Sequence, residues 1–287
     1  MPTPFKDGEV DRAAIRGNVR RWIAAGLGGV VAVGTNGEAP LLDDDECEAI
    51  VETARQEVPG DRTLIAGAGR ESTRATIAAA RRAAAAGADA VLIRTPSFYR
   101  ANVPVTALVA HYTAVADASP VPVLLYNYAA FTGVNLTPET IGRLAAHPNI
   151  VGIKESGGDV GQIAAFVEAG RDAEFSVLAG SARTFHAALR AGATGGILAL
   201  ASVVPDASVR VFELARAGAD DEARALQQRL TPLAEMLGST YGVPGLKAAL
   251  NLSGFDVGYP RAPLAPLPEE HVARLRDALH TFQEIPV

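Results

Sequence analysis

The chain has 287 residues, 48% of them hydrophobic and 20% charged, with a net charge of −6. That balance builds a large buried core, excludes disorder, and leaves no basic footprint for nucleic acid or anionic lipid. A lone cysteine, Cys47, rules out a disulfide framework and a thiolate metal site, and the five histidines are too scattered to chelate, so no metal is expected. The nearest approach to a dinucleotide loop, Gly67-Ala68-Gly69-Arg70-Glu71-Ser72, lacks its third glycine, so no cofactor is expected either. Charged or Gly-Pro clusters interrupt every apolar window short of the roughly 18 residues a membrane span needs. A cytoplasmic protein with a small-molecule partner is the expectation.

In chain order, Ala14, Ile15, Val19, Trp22 and Ile23 form a helical stripe over residues 11–25. Gly28 to Val33 then reads as a short buried strand that breaks into Gly34-Thr35-Asn36-Gly37-Glu38. Asp43 to Glu46 place a cap and acids at the start of the next helix, where the helix dipole favours them. The unit repeats: strands over 63–69, 90–96, 121–127, one ending at Lys154, 175–180 and 194–200 alternate with helical patterns over 72–87, 104–117, after Thr137-Pro138-Glu139, 159–169, 182–191 and after Pro205. Thr137-Pro138 supplies a cap and a first-turn proline. The strands are continuous apolar runs, as in a parallel sheet covered on both faces. The pattern predicts an α/β fold, a (β/α)8 barrel over residues 1–219, followed by a helical extension over 220–287 with helices at 220–237, 243–251 and 268–282. Only Pro2-Thr3-Pro4-Phe5 precedes the first helix, so the opening strand is expected to be a stub or the natural start to lie upstream of Met1; the second is favoured.

Of 26 cationic residues only Lys6, Lys154 and Lys247 are lysine; the rest are arginine. Arginine serves solubility and ion pairing but cannot shed its proton to attack a carbonyl, whereas a desolvated lysine can. Lys154 ends an apolar strand and enters the glycine-rich turn Glu155-Ser156-Gly157-Gly158-Asp159. The competing interpretation is a strand-end lysine whose stem packs and whose head reaches solvent. In barrels of this kind chemistry sits at the C-terminal strand ends, where Thr35, Asn36, Thr95, Tyr126, Asn127, Lys154, Glu155, Gly180 and Ser181 also fall. An amine nucleophile, a neighbouring tyrosine for proton transfer and a turn offering N–H and hydroxyl groups to a carboxylate make a coherent site for a 2-oxo acid.

Gly34-Thr35-Asn36-Gly37-Glu38, Tyr126-Asn127 followed by Thr132-Gly133, and Gly152-Ile153-Lys154-Glu155-Ser156-Gly157-Gly158-Asp159 resemble the three signature segments of the dihydrodipicolinate synthase and N-acetylneuraminate lyase family. The likeness covers nearly the whole chain. It implies a pyruvate-dependent class I aldolase or lyase, assembled as a homotetramer, with Lys154 as the Schiff-base lysine, Tyr126 as the relay tyrosine and Thr35 as the relay hydroxyl. The Thr35-Asn36 turn would hold the pyruvate carboxylate, and Gly180 and Ile197 would line the pocket.

Two positions depart from the family pattern. The arginine that binds the aldehyde's carboxylate in dihydrodipicolinate synthases corresponds to Phe131, which cannot form a bidentate contact. The second relay tyrosine corresponds to Phe98, with Tyr99 adjacent as a possible substitute. Gly34 to Pro40, Glu71-Ser72-Thr73, Lys154 to Asp159 and Arg261-Ala262-Pro263-Leu264 are similar to the 4-hydroxy-2-oxoglutarate aldolase branch. Cleavage of that substrate to pyruvate and glyoxylate is therefore the leading expectation. Dihydrodipicolinate synthase activity, or a weakly active paralogue that binds 2-oxo acids as a sensor, are the alternatives.

Overall fold

A computed structural model describes residues 1–283 of the chain. Among these residues there are nine strands: β1 Phe5–Lys6, β2 Glu9–Val10, β3 Gly29–Ala32, β4 Thr63–Gly67, β5 Ala90–Arg94, β6 Val123–Asn127, β7 Ile150–Glu155, β8 Ser176–Ala179 and β9 Gly195–Gly196. The helices are α1 Arg12–Ala24, α2 Asp44–Arg55, α3 Thr73–Ala85, α4 Val105–Ala118, α5 Ala129–Thr132, α6 Pro138–Ala145, α7 Val160–Ala169, α8 Phe185–Arg190, α9 Pro205–Arg216, α10 Asp220–Glu235, α11 Gly242–Leu252 and α12 Glu269–Gln283.

Strands β3 to β9 pair in sequence order as one seven-stranded parallel sheet, with helices between successive strands, which is the (β/α)8 barrel fold with its opening strand unformed. Leu92, Leu124 and Tyr126 cluster with Val31, Ile65 and Leu178 on one face of the sheet. The larger cluster, which includes Val91, Ile93, Val123, Leu125 and Ile153, packs the opposite face against the helices. Burial on both faces explains why each strand reads as an unbroken apolar run.

Residues 1–4 lie beside β3 rather than pairing as a strand. The Met1 amine donates to Val31 O at 2.6 Å, and Thr3 Oγ1 donates to Gly37 O at 2.6 Å. Met1 and Pro2 share a small cavity with Ile197, Leu198 and Ala199, which follow β9. Pro2 and Pro4 carry no N–H, so this segment cannot supply a regular ladder. Phe5–Lys6 instead forms a two-stranded antiparallel hairpin with Glu9–Val10, which the sequence pattern did not announce. The strand expected over 194–200 shrinks to Gly195–Gly196 because the chain turns into a 3₁₀ segment at Leu200–Ser202.

The predicted caps form. Asp43 and Glu46 make a reciprocal capping box on α2, Ser72 accepts from Ala75 N at the start of α3, and Thr137 accepts from Thr140 N with Pro138 next to it at the start of α6. Among the described residues no helix is long and apolar enough to cross a membrane.

Candidate active site

The site is set by register. Val123 pairs with Ile150, but Leu124 pairs with Gly152, so Val151 is an extra residue on β7. This bulge advances the pairing by one position and puts Lys154 opposite Tyr126. Without it Tyr126 would face Ile153, which packs outward with the helices; a one-residue slip exchanges the two faces of a strand. Gly152 makes the close pairing possible, since a Cβ there would stand 2.3 Å from Ser176 O.

Lys154 and Tyr126 are both buried. The Lys154 Nζ lies 4.5 Å from the centre of the Tyr126 ring, and no carboxylate pairs with it among the described residues. The Tyr126 hydroxyl shares a 3.0 Å hydrogen bond with Thr35 Oγ1. Amine, phenol and hydroxyl therefore line one path across three strand ends. Thr35 opens the 3₁₀ turn Thr35–Gly37. Its entry is strained, for Val33 is buried with φ of 54°, a conformation that β-branched residues avoid and that persists only when surrounding packing imposes it.

The far end of the turn is held by a buried ion pair. Glu38, itself at φ 59°, meets Lys247 Nζ of α11 at 2.7 Å, with both side chains essentially inaccessible. Its second oxygen accepts from Arg261 N at 2.7 Å, and Lys247 also donates to Tyr259 O at 2.9 Å. Arg261 in turn forks onto both Glu46 oxygens at 2.7 and 2.6 Å. Burial pulls the Lys247 pKa below its usual value, against the opposing pull of Glu38. Two of the three lysines are thus buried, one paired and one unpaired, while Lys6 is exposed.

Thr35, Asn36, Tyr126, Phe131, Lys154, Gly180 and Ile197 all line one cavity of about 260 Å³. Tyr99 does not; it is 70% exposed and packs edge-on against Phe98. Glu155 and Asn127 sit at strand ends but turn away from the cavity. Glu155 accepts from Asn127 Nδ2 at 2.6 Å and Gln162 Nε2 at 2.8 Å, and Asn127 Oδ1 accepts from Leu136 N at 2.9 Å. Gly180 carries no Cβ because one would fall 1.9 Å from Ser156 Oγ.

Several lining residues were not anticipated. Tyr128 stacks on Tyr126 with ring centres 6.2 Å apart, and burial, then its neighbour Tyr126, raises its pKa. Ser156 and Arg183 line the cavity, as do residues 234, 235, 237–239, 242 and 243. The site is therefore not confined to residues 1–219: the end of α10 and the π-helical segment Met236–Thr240 that follows it form part of one wall. Ser156 lay within a motif already singled out, but a wall built from a helix end leaves no local signal in the sequence.

A second cavity of about 440 Å³ lies on the far side of the Thr35–Tyr126 pair, lined by Arg70, Glu71, Arg94 and Ser97 among others. Glu71 holds the 97–98 loop there, accepting from Ser97 N and Phe98 N at 2.9 Å each and from Arg94 Nη1 at 2.7 Å. Burial alone would raise its pKa, but these N–H donors and the guanidinium outweigh it and hold the carboxyl at about 2. A carboxylate with a depressed folded pKa contributes stability above its unfolded value, and that contribution is lost as pH falls towards 2. The stability difference between the parent and Glu71→Gln, measured by urea unfolding, is accordingly expected to be largest above pH 5 and to vanish near pH 2.

Comparison with known proteins identifies the family. Residues 1–282 match the model of the dihydrodipicolinate synthetase family. A 4-hydroxy-tetrahydrodipicolinate synthase from an Exiguobacterium strain is 36% identical, with 99% of this chain and 97% of that protein covered. One from Stenotrophomonas maltophilia is 39% identical over 94% and 90%. A crystal structure of dihydrodipicolinate synthase from Acinetobacter baumannii complexed with pyruvate superposes with a TM-score of 0.92 at 34% identity, covering 99% of this chain and 97% of that one. The chain belongs to the dihydrodipicolinate synthetase family of lyases.

Proposed function

We propose that the protein is a class I aldolase whose Lys154 amine attacks the 2-oxo carbon of pyruvate, expelling water and forming an imine. Loss of a proton from the pyruvate methyl then gives an enamine, whose carbon adds to an aldehyde; hydrolysis of the imine releases the product and frees Lys154. The observation that carries this reading is the Lys154, Tyr126 and Thr35 arrangement: an amine without a carboxylate partner beside a phenol hydrogen-bonded to a second hydroxyl. Tyr126 and Thr35 would pass the protons that carbinolamine formation and dehydration require. The Thr35-Asn36 turn would hold the pyruvate carboxylate, because the leading N–H groups of such a turn have no acceptor within it.

The names of the relatives support 4-hydroxy-tetrahydrodipicolinate synthase, in which the aldehyde is aspartate semialdehyde, as the better-supported reaction. A second reading, 4-hydroxy-2-oxoglutarate aldolase, is favoured by one observation. Phe131, 64% exposed and lining the cavity, corresponds by resemblance to the arginine that binds the semialdehyde's carboxylate. The ratio of kcat/KM for condensation with aspartate semialdehyde to that for cleavage of 4-hydroxy-2-oxoglutarate decides between them, a ratio above one supporting the synthase and below one the cleaving enzyme. For either reaction, Tyr126→Phe is expected to lower kcat by about 10²–10⁴-fold, as loss of a positioned proton donor does, while calorimetry shows pyruvate still binding.

A further inference from the structure

A substrate of either kind brings a second carboxylate, on the aldehyde half, and Phe131 cannot hold it. The geometry points to Arg183, assisted by the Ser156 hydroxyl, as the site for that carboxylate; this rests on the aldolase reading above.

Arg183 is the one arginine among the described residues that lines the Lys154 cavity. The other candidates are engaged elsewhere. Arg94 is bound to Glu71 at 2.7 Å and Arg70 to Asp44 at 2.8 Å, both around the second cavity. The Arg100 stem lies over Gly133, its Cδ 2.6 Å from where a Cβ there would stand. Arg183 sits on the 3₁₀ turn Ala182–Thr184 after β8, and its Nη2 is 3.6 Å from the position of a Cβ on Gly158. Its head is thereby placed over the turn that follows Lys154. Glu235 lines the same wall, yet no ion pair joins it to Arg183, so the fork remains open to an external anion.

Ser156 adds the second observation. It continues β7, donating its backbone N–H to Asn127 O at 3.0 Å. Two residues beyond Lys154, it projects to the same side of the chain, about 7 Å nearer the mouth. Its Oγ is buried and has no hydrogen-bond partner, which is costly unless a ligand supplies one. A 2-oxo acid bound at Lys154 and extending outward along β7 passes this hydroxyl on its way to the guanidinium. Arginine suits the role because its planar fork matches a carboxylate with two parallel N–H donors.

The test uses a form in which no imine can be made, so that it does not depend on turnover. In Lys154→Ala protein, calorimetric titration with 2-oxoglutarate is compared with 2-oxopentanoate, which replaces the distal carboxylate by a methyl. The dicarboxylate is expected to bind about 10- to 100-fold tighter, the range of a charge-assisted contact. Adding Arg183→Ala is expected to erase the preference, and Arg183→Lys to restore only part of it. Equal binding of the two acids, no binding of 2-oxoglutarate, or a preference that survives Arg183→Ala overturns the assignment. Borohydride trapping of pyruvate on the parent decides the imine chemistry separately.

Discussion

Lys154→Ala is expected to abolish the pyruvyl adduct that borohydride traps on the parent and to lower turnover by roughly 10⁴-fold or more, as loss of a covalent nucleophile does. The three lysines make this result sharp. Lys6 is exposed, and Lys247 is held between Glu38 at 2.7 Å and the Tyr259 carbonyl, so neither presents a free amine to the cavity. Only Lys154 combines burial, cavity exposure and the absence of a carboxylate partner. Peptide mapping of the reduced parent should therefore place all the added mass on the segment containing Lys154. Lys154→Arg should be as inert as the alanine form, because a guanidinium keeps its proton and its charge. An adduct of parent-like yield on Lys154→Ala would end the imine reading.

Lys247→Met is expected to destabilise the protein by about 3–5 kcal/mol, because it leaves the Glu38 carboxylate buried without its partner. For a domain of this size each kcal/mol lowers Tm by about 2–4 °C, so a fall of roughly 10 °C should appear in calorimetry. The damage should extend to the site, since Glu38 ends the Thr35–Gly37 turn. Adding Glu38→Gln removes the stranded charge and should recover part of the stability, while pyruvate binding stays weakened because the turn is no longer drawn towards α11. If Lys247→Met matches the parent in both Tm and pyruvate affinity, the pair does not position the turn.

Much of the barrel was legible from local signals. Continuous apolar runs marked the strands from β3 to β8 to within a few residues, and the capping residues Asp43, Ser72 and Thr137 marked helix starts, because these depend on contacts close in sequence. The strand-end rule assembled Thr35, Asn36, Tyr126, Lys154 and Gly180, which share one cavity. What stayed hidden depends on long-range placement. The β1–β2 hairpin and the non-laddering residues 1–4 carry too few residues to show a period. Arg183 reads in sequence as an ordinary surface cation, and residues 234–243 as the end of one helix and the approach to the next, with no sign that they face a cavity.

The amino-acid sequence alone therefore determined the alternation of strands and helices, the three lysines, and the polar residues available at strand ends. These follow from side-chain chemistry and from periodicity within a single element. The tertiary structure decided which of those residues meet. The Val151 bulge, invisible in an apolar run, turns Lys154 towards Tyr126 instead of towards the helices. The Glu38–Lys247 pair joins positions 209 residues apart in the chain numbering and draws the Thr35 turn against α11. Register and long-range pairing are properties of two segments at once, and no single stretch of sequence encodes them.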